Sequence, residues 1–295
     1  MKRKKKVNWT AILFVAPNLV GFMVFILLPV IFSLVVSFTD FNVFKGLKGM
    51  KFVGFDNFVH MFEDRWFLAA LSNNLKFTLI TIPIVLMVSI VLSTILNNKV
   101  FGKNIMRALI FIPYISSVVA ISAVWMMLFN PSQGIINQML RSIGIENTPS
   151  WLGGIHWALP AIMIVSIWMG LGYNTIVYMS GLQSIDKCLY ESAQVDGANA
   201  IKTFFHITVP MLRSTTFFLL ITNIIGSFQI FGIINIMTDG GPGTATTVMA
   251  QYIYIAGFRY NKMGYAAAMA WFLLILILVV TMIQWKFQKK FEKSM

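Results

Sequence analysis

Neutral hydrogen-bonding side chains recur at helical spacing inside otherwise apolar stretches of this sequence. Ser166, Gly170 and Tyr173 fall at i, i+4 and i+7, one stripe of a helix, with Trp168 and Met169 beside it. Asn223, Gly226 and Ser227 form a second stripe with Gln229 nearby, and Tyr114 and Ser117 follow Pro113. Hydroxyls, an amide and aromatic faces on an apolar background suit a sugar, which takes hydrogen bonds around its rim and flat contact on its faces. Small and hydroxyl residues also line ordinary helix–helix interfaces, so packing accounts for the same stripes.

Covalent chemistry has no comparable support. His60, His156 and His206 are scattered without metal-ligand spacing, and Cys188 stands alone, so no intrachain disulfide exists. No G-x-x-x-x-G-K-[ST] phosphate loop occurs; Gly102-Lys103-Asn104 lacks the rest of it. No metal site, no catalytic set and no cofactor is expected in this chain.

The elements that position the stripes follow from composition. Hydrophobic residues make up 58% and charged residues 11%, with mean hydropathy +0.77. Soluble domains run at about 45–50% and about 25%. A bilayer span needs roughly 20 mostly apolar residues. Six stretches qualify, near 11–38, 74–96, 108–129, 157–180, 214–237 and 264–285, and none carries a charged residue or His in its body, Lys76 standing at the edge of the second. The expected fold is all-α, a polytopic membrane protein with about six transmembrane helices.

The first stretch follows a basic MKRKKK segment, as a signal peptide would, but a signal core is about 7–15 residues long. It is read as a retained helix, bent by Pro17 and Pro29. The expected organisation is a basic tail 1–10, a transmembrane domain 11–285 and a second tail 286–295. Net charge is +13, which in a soluble chain would point to nucleic acid; in a membrane chain the positive-inside rule accounts for it. With both termini in the cytoplasm, fifteen of the 23 Lys and Arg fall inside, although Lys45, Lys48, Lys51, Arg65 and Lys76 crowd one outer loop. Segment 244–258 reads as a helix lying along the outer surface.

The inner segment 181–213 is long for a bundle connection. Within SIDKCLYESAQVDGANAIKTFFHITVPML, Tyr190 to Asp196 forms two helical turns that Gly197 ends, because glycine tolerates positive φ. A second helix runs from Ala198 to His206 and stops before Pro210. The alternative reading of the segment is an amphipathic helix resting on the inner leaflet, with Phe204 and Phe205 as anchors.

Glu191-Ser192-Ala193-x-x-Asp196-Gly197, followed by Ile207-x-x-Pro210, resembles the "EAA" loop of binding-protein-dependent ABC importer permeases. Ser192 stands where that family has its first Ala. Thr238-Asp239-Gly240-Gly241-Pro242 resembles the "T-x-GGP" turn of its carbohydrate-type, maltose- and glycerol-phosphate-like members, and APNLVGFMVFILLPVIFSLVVSFTDFN resembles the start of their shorter subunits. The resemblance covers nearly the whole chain, with its core at 70–285.

That resemblance implies a type I ABC importer permease fold in a bacterial or archaeal inner membrane. It also implies a heterodimer with a homologous permease subunit, two cytosolic ATPase subunits that bind ATP and Mg, and an extracytoplasmic binding protein that delivers a sugar. Glu191, Ser192, Ala193, Asp196, Gly197 and Pro210 would then dock the ATPase. Tyr114, Ser166, Met169, Gly170, Tyr173, Asn223, Gly226 and Ser227 would face the solute, although Ser166 and Ser227 replace amides of the maltose-type subunit. Two other classes fit less well. An ion-coupled secondary transporter or channel commonly needs intramembrane carboxylates or His, which the spans lack, and a membrane enzyme needs a clustered acid, base or nucleophile.

Overall fold

The computed structural model describes residues 9–97 and 102–292. Lys2, Arg3, Lys4, Lys5, Lys6, Lys99 and Lys293, used above to orient the chain, lie outside the described residues. Among the described residues five helical stretches are long and apolar enough to cross a membrane, or six if one bent pair counts as a single span. Among the described residues only two isolated β-bridges occur, Thr39 with Phe52 and Asn42 with Lys262.

The chain divides into two compact units. One comprises residues up to Glu63 together with Ile253–Phe272. Its first helix, α1, runs as Trp9–Phe22, a π turn Met23–Leu27, and Leu28–Ser37. The π turn lies directly ahead of Pro29, where its wider spacing absorbs a ring and a missing N–H that would break a regular helix. Helix α2 is Asp56–Glu63. Asn57 Nδ2 donates to Ser37 O and Thr39 O, both at 2.9 Å, and closes the chain reversal after α1.

The other unit comprises Asp64–Tyr252 and residues from Leu273 onward. Its axis is α3, Arg65–Asn97, about 50 Å long at 1.5 Å per residue. One face buries Phe67, Ala70, Asn74, Phe77, Thr78, Thr81, Val85, Ser89 and Leu96 at helical period, while Leu79 and Met87 stay exposed. An exposed apolar face of this kind is what lipid requires.

Helices α4, Lys103–Ile115, and α5, Val118–Leu128, follow. The stretch expected as one span at 108–129 is therefore broken, and the two helices meet at 101°. Ser116 and Ser117 are extended there, and Ser116 Oγ and N–H both bond Ile112 O, which closes the end of α4. After the short α6, Ile135–Ser142, comes α7, Ala158–Gln183. At Gly172 a Cβ would lie 2.8 Å from Ile110 O and 3.1 Å from Phe111 Cα, so the α4 backbone can approach α7 only at a glycine.

The loop segment holds α8, Lys187–Val195, and α9, built from Ala200–Thr203, a π turn Phe204–Thr208, and Val209–Met211. Here too a π turn precedes a proline, so the second helix does not stop before Pro210 but carries helical backbone through it. Then come α10, Arg213–Phe228, and α11, Gly232–Met237. Helix α12 is Met249–Tyr254 continued by a π turn Ile255–Arg259, and α13 is Met263–Glu292. Within 244–258, Val248, Met249, Gln251, Tyr252, Ile255 and Ala256 are buried, so this segment is packed rather than laid on a surface.

Candidate functional site

Helices α3, α4, α7 and α10 enclose a cavity of about 370 Å³, within the range of small-molecule sites. Seven of the nine residues selected from the sequence line it: Tyr114, Ser166, Gly170, Tyr173, Asn223, Gly226 and Ser227. Gly226 opens space directly, since a Cβ there would meet nothing within 4 Å. The rings of Tyr114 and Tyr173 stack at 5.3 Å with 24° between planes, joining α4 to α7. Thr81 and Val85 place the cavity near the middle of α3, the depth at which transporters commonly hold their solute.

The lining groups are not equally available. Asn223 Nδ2 donates to Asn174 Oδ1 at 2.7 Å and to Leu219 O at 2.7 Å. Asn174 Nδ2 returns the bond to Asn223 Oδ1 at 3.3 Å and reaches Gly170 O at 2.8 Å. This reciprocal amide pair ties α7 to α10. Ser227 is buried; its Oγ donates to Ile224 O and pairs with Thr78 Oγ1 at 2.8 Å. Ser166 Oγ, by contrast, is buried with no hydrogen-bond partner.

Two selected residues lie elsewhere. Ser117 is exposed in the break between α4 and α5, and Met169 packs against a core cluster that contains Phe77 and Val165. Residues missed from the sequence are Phe77, Thr81, Ile82 and Val85 on α3, Ile167 on α7, and Thr222 and Ile230. A signal for the α3 wall was present, because Asn74, Thr78 and Thr81 are polar at i, i+4 and i+7 within an apolar span.

Those α3 polar groups extend the site toward Thr238-Asp239-Gly240-Gly241-Pro242. Asn74 Nδ2 donates to Ser227 O at 2.9 Å while its Oδ1 accepts from Met249 N at 2.8 Å. Asn73 Nδ2 reaches Thr244 O and Thr247 O at 2.7 and 3.0 Å. The turn has positive φ at Asp239 and Gly240 and a cis Gly241–Pro242 peptide. Thr246 and Thr247 close it by bonding Gly241 O and Gly240 O through their hydroxyls.

About 30 Å along α3 from Asn74, at 1.5 Å per residue, Thr94 lies beside α8 and α9. Asp186 caps α8, accepting from Cys188 N at 2.9 Å. The far end closes as a Schellman motif: Gly197 N bonds Gln194 O at 3.1 Å, Ala198 N bonds Ala193 O at 2.9 Å, and Gly197 has φ +73°. Tyr190 Oη pairs with Thr208 Oγ1 at 3.2 Å and holds α8 against α9. Glu191, Ser192, Asp196 and Gly197 face outward, Ala193 and Pro210 are half-buried, and Val195 is 88% exposed. Along the chain this segment leads from α7 to α10, two of the helices that wall the cavity; across space the Asn174–Asn223 pair also joins them.

Residues 63–293 match the family model described as binding-protein-dependent transport system inner membrane component. The lactose transport system permease protein LacF of Rhizobium radiobacter is 36% identical over 292 residues, covering 96% of this chain and 95% of the relative. The sn-glycerol-3-phosphate transport system permease protein UgpA of Yersinia pestis is 31% identical over 284 residues, covering 96% and 95%. Among solved structures, a bacterial alginate ABC transporter, in complex with an alginate pentasaccharide-bound periplasmic protein, superposes with a TM-score of 0.81. The two chains are 26% identical, with 94% of this chain and 92% of that one covered.

Proposed function

Because the chain belongs to the binding-protein-dependent transport system inner membrane components, we propose that it is the permease subunit of an ATP-driven importer, passing a carbohydrate through the α3–α4–α7–α10 cavity. The observation that carries this reading is the continuity of the two parts. The exposed α8 lies on the chain segment that leads from α7 to α10, two of the helices that wall the cavity, so a displacement applied at α8 acts on both. Sugar-binding chemistry fits the lining, with hydroxyls, an amide and two stacked tyrosines.

In this reading the solute touches Tyr114, Ser166, Gly170, Tyr173 and Asn223, with Ser227 shaping the wall. Met169 and Ser117 act at a distance. Glu191, Ser192, Ala193, Asp196 and Gly197 dock in a cytosolic ATPase subunit, with Pro210 behind them, and Val195 supplies an apolar contact. A homologous permease subunit completes the pathway, two ATPase subunits bind ATP and Mg, and an extracytoplasmic binding protein delivers solute. The termini and α8 lie on the cytoplasmic side. Closure of the ATPases on ATP moves α8 and turns the cavity outward.

The test is solute-stimulated ATPase activity in a complex reconstituted with its partner subunits and binding protein. Glu191→Lys leaves membrane insertion intact and abolishes stimulation. A Glu191→Lys complex that transports normally, or uptake by this chain alone under an ion gradient, overturns the proposal.

A further inference from the structure

The hydrogen-bonding groups of the cavity differ in what they have left to offer. Thr81 spends its hydroxyl proton on Phe77 O, and Thr222 spends its proton on Phe218 O and Leu219 O. Asn223 spends both amide protons on Asn174 and Leu219. All three therefore present oxygen lone pairs to the cavity. Among the described residues no Lys, Arg or His lines it, and backbone N–H groups along its helical walls are committed to the helices. The donors that remain are the hydroxyls of Ser166, Tyr114 and Tyr173, each of which is an acceptor as well.

We infer that this cavity passes uncharged saccharides and rejects anionic ones. The inference rests on the reading of the cavity as a carbohydrate site and names the chemistry of its solute. A neutral sugar carries many hydroxyl donors, which pair with the lone pairs of Thr81, Thr222 and Asn223. A carboxylate or phosphate only accepts hydrogen bonds. Placed against three acceptors with no cation, it has only the hydroxyls of Ser166, Tyr114 and Tyr173 to replace its hydration shell. Relatives of the same fold carry names that specify glycerol 3-phosphate or alginate, so the fold alone does not fix the charge of the solute. The distinction lies in hydrogen-bond polarity, not in cavity size.

Saturation-transfer NMR on the assembled transporter in nanodiscs tests this without the binding protein's own selectivity. The probes are lactose, maltose and cellobiose against digalacturonate and glycerol 3-phosphate, each at millimolar concentration. Gly226→Val fills the cavity at a position with no steric neighbour, and Gly226→Ala serves if the valine variant does not assemble. At least one neutral disaccharide gives a signal that the substitution lowers fivefold or more, while the two anions give signals the substitution does not change. Anion signals as strong as the neutral ones, and equally lost on substitution, overturn the charge selectivity and leave the carbohydrate site standing. If no probe of either kind gives a substitution-sensitive signal, the carbohydrate site itself falls.

Discussion

Gly197 closes α8 with φ +73°, and a Cβ placed there would have open space on every side. A side chain at this position therefore meets no clash, and its cost is purely the backbone's. For an L-residue the left-handed region costs about 1–2 kcal/mol, with Asn among the residues that tolerate it best. At about 1.4 kcal/mol per tenfold, Gly197→Ala lowers the population of the closed loop end by roughly 5- to 30-fold. Gly197→Asn falls short of that loss, and Gly197→Val exceeds it because a β-branched residue is disfavoured further. Hydrogen exchange of the Gly197 and Ala198 amides reads the effect directly, since these donate to Gln194 O and Ala193 O. Exchange accelerates in the order Asn, Ala, Val, and solute-stimulated ATPase activity of the reconstituted complex falls in the same order. Alanine protection equal to wild type, or asparagine as damaging as valine, refutes the argument that this turn is held by its φ.

Asn74→Leu removes a fully buried amide that serves Ser227 O and Met249 N. At about 1–3 kcal/mol for each orphaned group, the thermal midpoint of the purified protein drops by several degrees, which differential scanning fluorimetry detects. Gly172→Ala drives a Cβ to 2.8 Å from a backbone carbonyl, whereas Gly170→Ala meets only the tip of Val85 at 3.1 Å. The first loses about 1–3 kcal/mol by overpacking and the second less, in parallel melts. Asn174→Leu and Asn223→Leu break one reciprocal pair. A double-mutant cycle on detergent unfolding gives a coupling of about 0.6–1.7 kcal/mol, the range of hydrogen bonds between membrane helices.

Much of the candidate site was legible because its residues obey one helix's periodicity. Ser166, Gly170 and Tyr173 share a stripe, and a stripe has a direction whatever surrounds it. The end of α8 was legible for a related reason, since a glycine that completes a Schellman motif answers to its own backbone. The break at Ser116 and Ser117 was not. Neither residue is a glycine or a proline, and the apolar run continues on both sides of them. Nor was the role of Asn223, which reads as an open amide until Asn174 is found bonded to it.

The sequence by itself determined which stretches are long and apolar enough to cross a bilayer, because a hydrocarbon layer about 30 Å thick demands roughly 20 apolar residues per span. Which face of each span meets another helix was decided only by tertiary structure. Lipid tails are as apolar as leucine, so hydropathy alone cannot mark a buried face. On α3, Leu79 and Leu86 are equal in hydropathy, yet one is 72% exposed and the other 7%. Shape and the few polar groups that must find partners made that choice.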